Sequence, residues 1–319
     1  MTELDGEDRL DPRLRAIAIT RTVFSPEAIR LMRAPFDQRR REAFEELEKR
    51  EARNDAWSVQ TTEANVVAKS GLVPVRIYRR GQVRRAPVVI YCHAGGFALG
   101  NLDTDHGQCV ELARRAGCTV VSVDYRLAPE HPYPAALDDA IAVLNWVVTN
   151  AAELDVDAER LAVAGSSAGA ALAACLAQRA ADKLLPPIVF QLLHQPVLDD
   201  HATASKAEFR TSPAFDGEAA ELMWRHYLGT DPPSPDSVPA RRSRLDGLPP
   251  ALITCAEIDP FRDEAIDYAR RLLHAGVSTE LHVFGRTCHG FDSLLPGLPS
   301  SERLFTMQGD ALSNAFRGV

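Results

Sequence analysis

Leu161-Ala-Val-Ala-Gly-Ser-Ser-Ala-Gly-Ala170 decides how this chain is read. Four apolar residues make a strand short enough to be buried on both faces, and the alanine-rich stretch Ala168–Asp182 has the 3.6-residue apolar spacing of a helix. Between them, Gly165-Ser-Ser-Ala-Gly169 fits the pattern G-x-S-x-G, with Ser167 at its centre and Ser166 as a flanking residue. A strand that turns straight into a helix leaves little room beside the central serine, so the small neighbours have a steric reason. The helix N-terminus then aims backbone N–H groups at negative charge developing next to Ser167. A bare pentapeptide of this kind also arises as a plain Gly/Ser turn, so its surroundings must decide.

Working outward, Pro87–Tyr91, Thr119–Val123, Ile188–Leu193, Ala251–Cys255 and Thr279–Phe284 are further short runs rich in Val, Ile and Leu. The spacing predicts helices over Asp105–Ala116, Ala135–Ala152 and Asp263–His274 between them. Alternating strands and helices imply an α/β fold, a mostly parallel central sheet flanked by helices. Upstream, Trp57–Ala68 and Leu72–Arg79 are rich in Val and Thr and are separated by Lys69-Ser-Gly71, which predicts an antiparallel hairpin at one edge. Residues 1–50 are helical in character, with Ser25-Pro-Glu27 as a helix start. Residues 197–248 interrupt the alternation with Asp, Ser and Pro and one helix-like stretch, Asp216–Leu228. An insertion of that length between core strands is a typical lid, and with residues 1–50 it forms a cap over the carboxyl ends of the strands.

Two further stretches carry chemistry. Tyr91-Cys-His93-Ala-Gly-Gly-Phe97 closes a buried strand with a glycine-rich loop, and Gly95 and Gly96 are candidate backbone donors to an oxyanion, with Ala168 as the third. His93 is read as a brace of that loop. A serine nucleophile needs a base, and the base an orienting acid. His289, in Cys288-His-Gly-Phe291 after the last strand run, is the candidate base. Asp259 follows the strand Ala251–Cys255 and precedes Pro260, which fixes an extended turn. It is favoured over Glu257 and over Asp263, whose place suits a helix N-cap or first turn.

These stretches resemble the bacterial hormone-sensitive-lipase-like esterases (family IV carboxylesterases) of the α/β-hydrolase superfamily. The resemblance rests on His93-Ala-Gly-Gly-Phe97, Asp124-Tyr-Arg-Leu-Ala-Pro-Glu-His-Pro-Tyr-Pro134, Gly165-Ser-Ser-Ala-Gly169, and Asp259-Pro-Phe-Arg-Asp-Glu264 with His289-Gly-Phe291. It implies an α/β-hydrolase fold with a helical cap, hydrolysis of short-chain acyl esters through an acyl-enzyme, and the chain order serine, acid, histidine. It divides the chain into cap (1–50), core (51–196), cap insertion (197–248) and core (249–319). It also implies that Arg126 and Glu130 brace a loop beside the glycine-rich one, and that two copies pair through Thr279–Phe284. Phe97, Phe215, Trp224 and Phe291 are candidate substrate-pocket walls, with Phe36 and Tyr227 beside them. Two departures stand out: Ala94 where the family usually has glycine, and Ser166 where it usually has Asp or Thr. Related folds also serve as non-catalytic receptors, and the same residues hydrolyse lactones, amides or thioesters, so both alternatives stay open.

Composition excludes other classes. Net charge is -8, from 36 Lys and Arg against 44 Asp and Glu, which argues against a nucleic-acid partner. No apolar run approaches the roughly 18 residues of a spanning helix, so no membrane partner is expected. The opening MTELDGEDRLDPRLRA is mixed in charge with no apolar core, which predicts a cytoplasmic protein. Six scattered cysteines are read as reduced, buried thiols. His106-x-x-Cys109 with His93 lacks the second ligand pair that zinc spacing demands, so no metal is assigned. The serine chemistry calls for no cofactor.

Overall fold

The computed structural model describes residues 5–17, 24–51, 59–81 and 83–318 and forms one eight-stranded sheet. The strands are β1 (Val59–Ala68), β2 (Gly71–Arg80), β3 (Ala86–Cys92), β4 (Thr119–Val123), β5 (Val156–Ser166), β6 (Phe190–His194), β7 (Ala251–Ile258) and β8 (Thr279–Cys288). Their spatial order is β1-β2-β4-β3-β5-β6-β7-β8. The expected edge hairpin is β1–β2, in register from Val59 opposite Arg80 to Ala68 opposite Gly71. Its anticipated start at Trp57 lies outside the described residues. β2 is antiparallel to β4, and from β4 to β8 every pairing is parallel. All the carboxyl ends from β3 to β8 therefore open on one edge, where ligands bind in sheets of this kind.

Helices are α1 (Pro12–Arg15), α2 (Pro26–Glu51), α3 (His106–Ala116), α4 (Ala135–Thr149), α5 (Ala168–Ala181), α6 (Ala204–Glu208), α7 (Gly217–Leu228), α8 (Arg262–His274), α9 (Phe291–Leu294) and α10 (Pro299–Arg317). Alternation along β3 explains the two layers. Val88 and Ile90 point to the face covered by Leu137 and Val143 of α4, Leu172 and Leu176 of α5, and Tyr268 and Leu272 of α8. Val89 and Tyr91 point to the other face, under Cys109 and Leu112 of α3 and Leu312 and Phe316 of α10. Helix α10 is an element beyond those expected from sequence, with Leu304, Phe305, Leu312 and Phe316 as its buried stripe. Ser25 caps α2 as expected, its hydroxyl accepting the Ala28 N–H at 3.2 Å. The anticipated Ile188–Leu193 strand shifts to end at His194, and the Thr279–Phe284 strand runs on to Cys288. No helix of the described residues is long and apolar enough to cross a membrane.

The segment between β6 and β7, which carries α6 and α7, is fastened to the start of α8. Lys206 Nζ lies 2.6 Å from Glu264 Oε2, with Glu264 fully buried. The other oxygen of Glu264 accepts the Leu198 N–H at 2.7 Å, and the Ser205 N–H donates to Asp263 at 2.8 Å. Burial pushes the Glu264 carboxyl up to about 7, with Lys206 pulling the other way. A carboxyl raised in the folded state contributes most stability below its ordinary value of 4.5 and loses it as pH climbs towards about 7. Glu264→Gln has no such titration. The stability of the wild type relative to Glu264→Gln should therefore fall between those two pH values and be flat above them, as urea unfolding at a series of pH values will measure.

Candidate active site

Ser167 stands at the junction of β5 and α5 with φ 56° and ψ -119°, a strained backbone held by its surroundings. A Cβ on Gly165 would lie 2.4 Å from the Gly169 backbone, and one on Gly169 would lie 2.0 Å from the Cys92 carbonyl oxygen. Both glycines of the motif are thus required by close backbone approach, and the second seats α5 against the end of β3. The Ser167 N–H donates to the His194 carbonyl at 2.8 Å, so the elbow is tied to β6. Ser166 pairs with His194 in the sheet ladder and is a flanking residue, as its register predicted.

His289 follows β8 and reaches back across two strands. Its Nε2 is 2.9 Å from Ser167 Oγ, and its Nδ1 is 2.9 Å from Asp259 Oδ2. With Nδ1–H donating to Asp259, Nε2 is left to accept the serine proton. Asp259 is fully buried, and its other oxygen accepts the Phe261 N–H at 2.9 Å across Pro260. The rings of Phe261 and Phe215 flank the imidazole at 5.3 and 5.6 Å. The rival acids are engaged elsewhere. Glu257 accepts from Arg9 at 2.6 Å and from the Arg286 N–H at 2.7 Å, while Asp263 lies in the first turn of α8. All six cysteines are buried with free sulfurs, and burial pushes the Cys288 thiol, beside His289, up to about 12. A thiol so protonated is a poor rival to Ser167 as nucleophile.

The loop after β3 lies alongside. Gly95 and Gly96 adopt φ 132° and 60°, and a Cβ on Gly95 would lie 2.1 Å from the Leu99 carbonyl oxygen. Neither N–H donates to an acceptor within the described residues. Ala168 opens α5, where a helical N–H has no acceptor in its own helix. Ala94 fits its place without a glycine: its φ is not in the left-handed region, and its N–H donates to Asp105 at 2.8 Å. His93 is buried and stacked on Tyr125 at 4.2 Å, and the Tyr125 hydroxyl donates to the His93 carbonyl at 2.8 Å. Arg126 and Glu130 brace the neighbouring loop through separate partners. Arg126 grips Asp139 at 2.8 Å, and Glu130 holds Arg33 of α2 at 2.7 Å. Arg33 in turn donates to the carbonyls of Ala98 and Ala128 at 3.0 and 2.9 Å, linking α2 to the glycine-rich loop.

Of the candidate pocket walls, Phe215 and Trp224 lie near these groups. Phe215 sits on the imidazole, and Trp224 is 5.8 Å from Phe97. Phe291 is corrected: it is fully buried with Phe284, Leu304 and Phe305 and serves packing. Phe97 is likewise fully buried, stacked on Tyr227 at 3.8 Å, and supports the loop from beneath. Sequence reasoning missed Phe24 and Met223, which crowd Gly96 so closely that a Cβ there would lie 2.5 and 3.5 Å from their side chains. It also missed Arg33, Asp105, His194 and Gln195. None of these lies inside a recognisable motif except by adjacency. His106 meets the Tyr78 hydroxyl at 3.1 Å and does not form a ligand group with Cys109 and His93.

Comparison with known proteins identifies the family. A sequence profile of the alpha/beta hydrolase fold matches residues 89–293. The chain is 48% identical over 211 residues to esterase LipI of Mycobacterium tuberculosis, covering 65% of this chain and 66% of that protein. It is 43% identical over 248 residues to carboxylesterase NlhH of the same species, covering 75% and 78%. The crystal structure of esterase LipW from Mycobacterium marinum superposes with a TM-score of 0.94 at 65% identity, covering 99% of this chain and 98% of that one.

The close seat of α5 on β3 generates a test. Gly169→Ala drives a methyl into the Cys92 carbonyl and should cost about 3 kcal/mol. Urea denaturation should show a lowered midpoint with an unchanged slope.

Proposed function

The chain belongs to the alpha/beta hydrolase family and is a carboxylic-ester hydrolase, and on that premise we propose that it cleaves short-chain acyl esters through Ser167, His289 and Asp259. The observation that carries the assignment of residues is the single imidazole bridging Ser167 and Asp259 at 2.9 Å on each side. Ser167 attacks the ester carbonyl while His289 takes its proton. Asp259 holds the imidazole tautomer and stabilises the cation that forms. The N–H groups of Gly95, Gly96 and Ala168 receive the tetrahedral oxyanion, each donor contributing on the order of 3 kcal/mol. His289 then protonates the departing alcohol. Water attacks the acyl-enzyme with the same base, releasing the acid and restoring Ser167.

Residues 1–50 and 197–248 act as the cap in this reading. The crowding of Phe24 and Met223 over Gly96, with Phe215 against His289, supports a small apolar pocket and hence short acyl chains. A filled set of nucleophile, base and acid argues against a receptor that only binds. Pairing of two copies is supported by the place of β8 at the sheet edge, with Leu281 and Val283 exposed. Light scattering will report that pairing.

Ser167→Ala should abolish p-nitrophenyl butyrate hydrolysis while circular dichroism stays unchanged, and a serine-directed organophosphate should label Ser167 in the wild type. Persistent turnover in the variant would sink the assignment, and an unlabelled Ser167 would restore the receptor reading. Across an acyl-length series, activity should peak below about eight to ten carbons, because a closed pocket excludes longer chains. A maximum on long, emulsified esters would overturn the short-acyl assignment. Asp259→Asn should leave the fold intact and lower kcat by about 10⁴, the loss expected when the base is held in the wrong tautomer.

A further inference from the structure

His289 rides on the turn after β8, an edge strand, while Ser167 follows β5, three places inward. Something must hold that turn against the elbow. β6 lies next to β5, and its last residue, His194, touches both sides. Its carbonyl accepts the Ser167 N–H at 2.8 Å. Its imidazole places Nε2 3.0 Å from Asp292 Oδ1, three residues past His289, and Nδ1 2.8 Å from the Thr254 hydroxyl on β7. Gln195 adds a second grip, its Oε1 accepting the Gly290 N–H at 2.6 Å. His194, Gln195 and Asp292 are all buried, at 1%, 0% and 5% exposure. Gln195 holds φ 45°, uncommon for a residue with a side chain.

We propose that His194 and Asp292, with Gln195, are positioning residues that fix the turn carrying His289 to the Ser167 elbow. The chain thus contains a second buried histidine–carboxylate pair that touches no substrate. The ring serves both neighbours: with Nε2–H donating to Asp292, Nδ1 is left to accept the Thr254 hydroxyl proton. Asp292 lies in the first turn of α9, three residues past His289, so loosening it shifts the base relative to Ser167. Misplacement of a base by about 1 Å can cost on the order of 100-fold in rate. A plain structural pair would change stability and leave the turnover of folded enzyme alone.

The proposal rests on His289 being the base, and the two readings fail separately. If Ser167→Ala still turns over, the catalytic assignment is wrong whatever His194 does. If Ser167→Ala is dead, the His194 and Asp292 variants decide this proposal alone. His194→Phe and Asp292→Leu should lower kcat for p-nitrophenyl butyrate by roughly 100-fold with KM within about twofold. Asp292→Asn keeps an oxygen for Nε2–H and should stay within about fivefold of wild type. The downfield proton resonance of the His289–Asp259 hydrogen bond should weaken in the two impaired variants and persist in Asp292→Asn. Folded His194→Phe with wild-type kcat, or a loss confined to KM, overturns the proposal, as does Asp292→Asn falling as far as Asp292→Leu. If His194→Phe and Asp292→Leu yield no folded protein, Gln195→Met tests the second grip. Lowered kcat there supports the proposal, and full kcat refutes it.

Discussion

Everything in the site depends on how closely α5 sits against the end of β3. Gly169 brings the helix so near the Cys92 carbonyl that no side chain fits between them. That contact sets Ser167 beside the loop of Gly95 and Gly96, which leaves the same strand end. Ser167 and the Gly95-Gly96 loop are therefore positioned by one packing event and not by two flexible loops. The placement of His289 and Asp259 follows from the parallel sheet. Because β5 to β8 run the same way, Ser167, His194, Asp259 and His289 all emerge on one edge. The strands spend their apolar area on burial, and their ends are free for chemistry.

The fold was largely legible in the sequence because the strands are buried on both faces and read as unbroken apolar runs. The candidate site was legible where backbone geometry sets a residue's place: the glycines flanking Ser167, the Gly95-Gly96 loop and the proline after Asp259. What stayed hidden are side chains whose partners are remote in sequence. Arg33 meets the Ala98 and Ala128 carbonyls, and His194 meets Asp292, with no local pattern to betray either. Phe291 misled for the opposite reason. It adjoins His289 in sequence, but its ring packs among Phe284 and Phe305, 6.1 Å from the His194 imidazole. Helix α10 carries a readable apolar stripe, yet it follows the last strand, where the alternation of strands and helices no longer points to it.

Charges in this molecule act mostly as fasteners between segments distant in the chain. Arg9 ties the N-terminal residues to Glu208 and Glu257. Arg33 ties α2 to Glu130, and Lys206 ties the inserted segment to Glu264. Exposed ion pairs of this kind contribute little each, but a fully buried partner such as Glu264 makes its pair costly to break. The groups covering the carboxyl edge are thus held to the sheet by polar contacts at their margins and by aromatic packing over Gly96. Such an arrangement fixes where a cover sits without welding it into the core.

The place of His289, the proposed base, just after β8 has a consequence for the newborn chain. Synthesis runs from the N-terminus, so Ser167 and its donors leave the ribosome long before His289. In the proposed mechanism Ser167 is without its base until β8 docks on β7. Chain order then works as a safety catch: under the proposed roles, Ser167 and His289 meet only when the edge strand β8 pairs with β7.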